Sequence, residues 1–281
     1  MKEILQKISK VLGYVILPID PDPIQKILIE TYRKLRFAGE NKAERGTALS
    51  RVAFAEHLRQ LLERYRISTV IDVGANKGQF GLLLREIGFR GTILSFEPMP
   101  AASDCIRKIA IKNGPWNVYP FALGSSRGDF DLQILADDTC SSIHKVKQES
   151  RSEFGPAFDV QKTVRVKGET LDHLFSEIIL NPTAEKILLK TDTQGHDLEV
   201  LRGAQETMKK TLVILTEAAT QVVYENAPDF QETIQYLGKC GFTPSGFYPF
   251  CHKLDSLALV ELDAFFVRKP AGESSQGQKS G

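Results

Sequence analysis

Apolar residues recur at helical spacing at the start of the chain, and from residue 67 the rhythm changes. Ile4, Ile8, Val11, Leu12 and Val15 predict a first helix. Pro18, Pro21 and Pro23 break it, since proline lacks the N–H a helix interior needs. Ile24, Ile27, Leu28 and Leu35 predict a second helix, and Val52, Leu58, Leu61, Leu62 and Tyr65 a third. From there the pattern becomes strand, turn, helix. Strands are expected at Thr69–Val73, Thr92–Phe96, Asn117–Leu123, Ile187–Thr191 and Leu212–Thr216. Helices are expected at Lys77–Ile87, Ala101–Lys112, after the fourth strand through Leu198, Leu201, Ala204 and Met208, and at Phe230–Lys239. Phe242–Phe250 and Ala264–Arg268 read as closing strands.

Strands that alternate with helices imply an α/β fold with a mainly parallel sheet covered on both faces. Asp129–Leu135 alternates like a further strand, and Asp137–Lys162 is polar and irregular, as expected of a segment that holds substrate or covers a site. The organisation is therefore a helical N-terminal extension over residues 1–66, a domain over 67–270 with an insertion at about 137–165, and a Gly/Ser/Gln-rich tail over 271–281 expected to be disordered.

The 281 residues suffice for one large core. A net charge of +1 gives no bulk attraction to nucleic acid. The charge is uneven, however: residues 1–66 hold 13 Lys/Arg and 8 Asp/Glu, a net +5, which leaves −4 elsewhere. The extension reads as a cap on the domain, with a membrane-surface or dimer contact as the other reading. No stretch is long and apolar enough to span a bilayer, and no secretory signal is evident. The four cysteines form no C-x-x-C pair, so free thiols in a reducing cytoplasm are expected and no metal site is called for.

The chemistry concentrates at strand ends. Ile71-Asp72-Val73-Gly74-Ala75-Asn76-Lys77-Gly78 lies between the first strand and its helix. Its glycines permit a tight turn and a close backbone approach to a ligand, yet the spacing is neither a dinucleotide fingerprint nor a phosphate loop. Glu97 ends the second strand, where a carboxylate accepts hydrogen bonds from ribose hydroxyls. Phe121-Ala122-Leu123-Gly124 offers small apolar groups for an adenine ring. Lys190-Thr191-Asp192-Thr193-Gln194-Gly195-His196-Asp197 joins the fourth strand to its helix. If strands one and four are neighbours, Asp192 shares a crevice with Gly74 at the topological switch point. Asp197 would open the following helix as a cap or first-turn acid.

With these pieces in order, the chain resembles the FkbM family of S-adenosylmethionine-dependent methyltransferases. The resemblance rests on I-D-V-G-A-N-K-G-Q-F, S-F-E-P-M-P, F-A-L-G, T-L-D at 170–172, L-K-T-D-T-Q-G-H-D-L-E-V-L-R-G-A and D-A-F-F-V-R, across roughly residues 69–268. It implies a Rossmann-like seven-strand sheet with an antiparallel last strand, and methyl transfer, usually to a hydroxyl oxygen. It implies that Asp72, Gly74, Asn76 and Gly78 cradle the methionine part of S-adenosyl-L-methionine, that Glu97 holds the ribose, and that Ala122 and Leu123 line the adenine. Thr139 to Ser142 is similar to the small polar stretch that the family places near its active site. At His196 the chain departs from the aromatic, small or acidic residue usual there.

A neutral hydroxyl is a poor nucleophile, so a base should take its proton during transfer. Asp192 is the first candidate and His196 the second, with Glu217 at the end of the fifth strand and His144 in the insertion as weaker choices. Ser141, Ser142, His144 and Glu217 are candidates for contact with the acceptor, which would be a small molecule, a sugar or a lipid. Two other readings stay open: a cofactor-binding or interaction protein without catalysis, and an NAD-dependent enzyme using the same crevice.

Overall fold

The computed structural model describes residues 22–37, 42–175, 186–253 and 255–270. The helix expected over residues 4–15 and the tail over 271–281 lie outside them. Two helices, α1 (Pro23–Phe37) and α2 (Lys42–Arg64), precede the sheet. The β1 strand (Thr69–Val73) leads through α3 (Gln79–Glu86) to β2 (Thr92–Phe96), then through α4 (Pro100–Ala110) to β3 (Trp116–Tyr119). The chain next builds β4 (Ala122–Leu123), β5 (Gly128–Leu135), α5 (Gln148–Phe154), β6 (Val160–Glu169) and the single turn α6 (Leu171–Leu174). It returns through β7 (Ile187–Thr191), α7 (Asp197–Arg202), α8 (Gln205–Lys210), β8 (Thr211–Ala219), α9 (Phe230–Lys239), β9 (Phe242–His252) and β10 (Leu259–Arg268).

Seven strands form the main sheet in the order β3-β2-β1-β7-β8-β10-β9. The pairings β3/β2, β2/β1, β1/β7 and β7/β8 are parallel, and β10 runs antiparallel between β8 and β9. The chain winds outward from β1 to β3, then restarts on the other side of β1 with β7. Strands β1 and β7 therefore diverge in their connections at their carboxyl ends, which opens the crevice. Every residue of β1 and of β7 is buried, as expected of strands covered on both faces.

Alternation within the strands divides the core. One face carries Ile71, Leu189, Ile214 and Phe266 under the later helices, the other Val70, Leu188, Val213 and Phe265 under the earlier ones. Ala55, Leu58, Leu61 and Leu62 of α2 are buried in the second of these. Phe54 of α2 meets Tyr248 and Phe265 ring to ring, at 5.7 and 5.1 Å between centroids. Among the described residues no helix is long and apolar enough to cross a membrane.

Three expectations need correction. The third strand is not one element over 117–123. It breaks at Pro120, which has no N–H for the ladder, so β3 stays in the main sheet and β4 joins a separate three-stranded sheet of order β4-β6-β5. The segment expected to be irregular contains α5, a 3-10 turn at Asp138–Cys140 and the start of β6. Strand β6 is real because Val164 and Val166 pair with Leu132 and Phe130 of β5, while Lys167 reaches Asp129 at 2.7 Å on the outer face. The strands expected at 212–216 and 264–268 extend to Ala219 and start at Leu259, which places Glu217, Glu261 and Asp263 inside strands.

Candidate active site

The turn after β1 is built for close approach. Gly74 has φ +73°, and a Cβ there would collide with the carbonyl oxygen of Asp192. The amides of Gly74 and Ala75 both donate to the Phe96 carbonyl, at 3.0 and 3.2 Å, which ties the turn to the end of β2. Glu97 continues the link. Its Oε2 accepts the Asn76 N–H at 2.8 Å and its Oε1 the Met99 N–H at 2.9 Å. Burial raises the Glu97 carboxyl to about 7 although both amides favour the anion. Each carboxylate oxygen has a second lone pair, so both can accept one further hydrogen bond.

Beneath the turn runs a buried polar row. The Trp116 indole N–H donates to Ser95 Oγ at 2.9 Å, and Ser95 Oγ donates to Asp72 Oδ2 at 3.2 Å. Asp72 Oδ1 lies 3.0 Å from Lys190 Nζ, and Lys190 Nζ lies 3.3 Å from Asp192 Oδ2. Ser95, Asp72 and Lys190 are register partners on β2, β1 and β7, so the sheet itself sets their spacing.

Above the row lies a cavity of about 550 Å³, within the size range of small-molecule sites. Gly74, Asn76 and Glu97 form one side, and Phe121, Ala122 and Leu123 an apolar wall. The small sheet and its 3-10 turn supply Ile134, Thr139, Ser141 and Ile143. Asp192, Gln194, Asp263 and Leu215 also line it, with Phe80 and Phe54 from helices α3 and α2. Lys77 of the glycine loop reaches Asp138 of the 3-10 turn at 2.6 Å, and both residues line the cavity.

Gln194 organises the acidic end. It holds φ +53°, and its Nε2 donates to Glu217 Oε2 at 2.8 Å and to Asp192 Oδ1 at 3.3 Å. The Tyr224 hydroxyl lies 2.9 Å from Gln194 Oε1 and 2.7 Å from the Cys140 carbonyl, and shares its one proton between them. Glu217 stands directly opposite Asp263 across the β8/β10 pair. Burial, then the charge of Asp192, pushes Glu217 well above the usual carboxylate range and Asp263 up to about 7.

Of the residues singled out in the sequence, Gly74, Asn76, Glu97, Ala122, Leu123, Ser141 and Asp192 line this cavity. Asp72 is fully buried under it. Gly78 faces away, against the Trp116 ring. Ser142 donates to the Gln194 carbonyl at 2.6 Å and Glu217 sits behind the Gln194 amide, so both support the wall. His196 is also behind it. Its Nδ1 lies 3.0 Å from His144 Nε2, its ring meets Phe130, and burial lowers it to about 4. Asp197 opens α7 and accepts the Thr193 N–H at 3.1 Å.

Asp263 and Phe54 were not singled out, and Lys190 and Gln194 stood in the fourth-strand motif without a role of their own. Lys190 carried a signal, a lone charge within a buried apolar strand. The T-L-D piece proves structural: Thr170 caps α6, and Asp172 accepts the Glu206 and Thr207 amides at 2.9 and 2.8 Å, at the start of α8. Among the described residues no three His, Cys, Asp or Glu side chains are placed to hold a metal ion.

Comparison with known proteins adds a family. A model described as a methyltransferase FkbM domain matches residues 72–244. The chain is similar to methyltransferase sdnD of Sordaria araneosa, 27% identical over 172 residues that cover 54% of this chain and 66% of that protein. It is similar to 2-O-methyltransferase NoeI of Sinorhizobium fredii, 27% identical over 170 residues, 56% of this chain and 65% of that protein. The chain thus spans slightly less than two thirds of the length of these relatives. Among solved structures it is similar to magnesium protoporphyrin IX methyltransferase from Synechocystis PCC 6803 with bound SAM, at 10% identity and a TM-score of 0.43, covering 90% of this chain and 100% of that one.

Proposed function

Since the chain belongs to the FkbM family of S-adenosylmethionine-dependent methyltransferases, we propose that it transfers a methyl group to a hydroxyl oxygen of a small molecule, with Asp192 as the base. The observation that carries this reading is that Glu97 and Asp192 open into one cavity, on either side of a glycine turn that touches both. The residues fit the cofactor. A turn that excludes any Cβ, a carboxylate with free lone pairs at the end of β2, and an apolar wall at Phe121–Leu123 match its amino-acid, ribose and adenine parts in chemistry.

S-adenosylmethionine supplies a methyl group already activated on a sulfonium. The protein's work is alignment and proton removal, and alignment alone can lower a barrier by several kcal/mol. Glu97 would hold the ribose hydroxyls. Asp192, held by Lys190 at one oxygen and Gln194 at the other, would take the proton of the acceptor hydroxyl. His196 is the weaker base, because it faces away from the cavity and its burial keeps it neutral. The name of the relative NoeI, a 2-O-methyltransferase, supports an oxygen acceptor, and the polar end at Gln194 and Asp263 suits one with several hydroxyls.

The test is calorimetric titration with S-adenosylhomocysteine, with NAD as control, followed by a panel of hydroxylated acceptors and labelled methyl donor. Binding of S-adenosylhomocysteine and not NAD is expected, and Asp192→Asn should reduce transfer by about 10²–10⁴-fold. A folded protein that binds NAD alone would overturn the cofactor assignment. An Asp192→Asn variant with unchanged turnover would remove Asp192 as base.

A further inference from the structure

Lys190 is the only charged residue in the buried strand Ile187–Thr191, and its ammonium is enclosed by oxygens. Asp72 Oδ1 and the Gly74 carbonyl lie 3.0 Å from Nζ, Asp192 Oδ2 3.3 Å and the Val73 carbonyl 3.4 Å. The Phe80 ring lies beside it, its centroid 5.6 Å from Nζ, and Lys190 itself lines the cavity. An ammonium has three donors and no acceptor, so three of the four oxygens can take a hydrogen bond and the fourth is held by charge alone. Burial opposes the charge, but Asp192 and Asp72 outweigh it and hold Lys190 above its ordinary value. It therefore stays protonated and is not itself a proton acceptor at neutral pH.

We propose that Lys190 is a positioning residue that couples the two halves of the site, pinning the glycine-turn carbonyl and the Asp192 carboxylate to one ammonium. The inference rests on the reading of the cavity as the S-adenosylmethionine site. Its physical basis is register. Lys190 is paired with Asp72 across β1 and β7, and Asp72 is anchored through Ser95 to Trp116, so the ammonium has a fixed place under the turn. The Gly74 carbonyl is drawn down onto it, and the Asn76 amide is left directed at Glu97. The same ammonium draws Asp192 Oδ2 from the β7 side. Removing Lys190 would free both groups at once, and the turn and the base would lose their common reference point.

The competing role is plain neutralisation of the buried Asp72. Two variants of the full chain separate the roles: Lys190→Met, and Lys190→Met combined with Asp72→Asn, which removes both charges. Thermal melting and calorimetric affinity for S-adenosylhomocysteine are measured for each. The single variant is expected to melt lower and to bind at least tenfold more weakly. The double variant is expected to regain melting temperature but not affinity, because the turn carbonyl still has no ammonium. Recovery of wild-type affinity in the double variant, or wild-type affinity in a folded single variant, overturns the proposal. If the single variant does not fold, the double variant carries the test. A folded wild-type protein that does not bind S-adenosylhomocysteine refutes the cofactor reading itself, and that result appears before any variant is made.

Discussion

Glu97 links the chemistry of the cavity to pH. Its two oxygens hold the Asn76 and Met99 amides at 2.8 and 2.9 Å, and burial raises its carboxyl to about 7. Ribose hydroxyls donate to the anion, so a nucleoside ligand binds the deprotonated form more tightly and lowers the carboxyl's proton affinity. Affinity for S-adenosylhomocysteine should therefore rise as pH goes from 6 to 8 and then level off. Calorimetry in two buffers of different ionisation enthalpy should show proton release near pH 7, and Glu97→Gln should abolish it. Equal affinity at both pH values would mean that Glu97 does not hold the ligand. That Glu97, Gly74 and Asp192 line one cavity was legible in the sequence, because the carboxyl ends of neighbouring parallel strands gather at the crevice of such a sheet. Asp72, Gly78 and His196 belong to the same motifs but stand behind the wall, as does Ser142 of the polar stretch. A motif brings residues together in space without saying which side of the strand or turn each one takes. Asp72 alternates with Val73 and turns toward Lys190, and Gly78 and Gly81 are small because Trp116 lies against them.

At the level of elements, the small sheet decides how the cavity is covered. Pro120 ends β3, Ala122 and Leu123 cross to pair with β6, and β5 carries Leu132 and Ile134 into the cavity lining. None of this pairing was readable, because β4 is two residues long and β6 opens on the polar, exposed run Gln161–Thr163. The main sheet was readable, since β1 and β7 are mostly apolar, broken by Asp72 and Lys190, and each is followed by a helix. Cover and cradle meet at the Lys77–Asp138 ion pair, with both side chains about half exposed. Exposed pairs contribute little, so Asp138→Asn should speed dissociation of S-adenosylhomocysteine by no more than about fivefold, with the melting temperature unchanged. Stopped-flow displacement measures this. A much larger effect would show that the 3-10 turn at Asp138–Cys140 is held over the ligand by this pair alone.

For the whole molecule, the active-site end carries a cost in stability. Glu97, Glu261 and Asp263 are each raised to about 7, Asp197 to about 6, and Glu217 well above its ordinary value, with burial the first cause in every case. Their unfolded values lie near 4. Between pH 4 and 7 the folded chain thus binds more protons than the unfolded chain, and the stability these groups contribute is lost as pH rises through 7. His196 acts in the other direction. Buried and lowered to about 4, it stabilises the fold above its unfolded value near 6.5, and that contribution is lost as pH falls toward 4. The five acids outweigh the one histidine, so on these groups the ligand-free protein should lose stability steadily as pH rises from about 5, and its melting temperature should drop by several degrees between pH 6 and 8. Part of the positive excess in the first 66 residues offsets the same acids, since Arg51 on α2 lies close enough to Asp263 to favour its anion. One of the thirteen basic residues counted there thus faces an internal acid, which composition alone could not reveal. Asp263→Asn removes one of the two carboxyls facing each other across β8 and β10, and should flatten the decline from pH 6 to 8. A melting temperature that rises over that interval would mean the acids are solvated rather than crowded, and the polar end of the cavity would then be open to water.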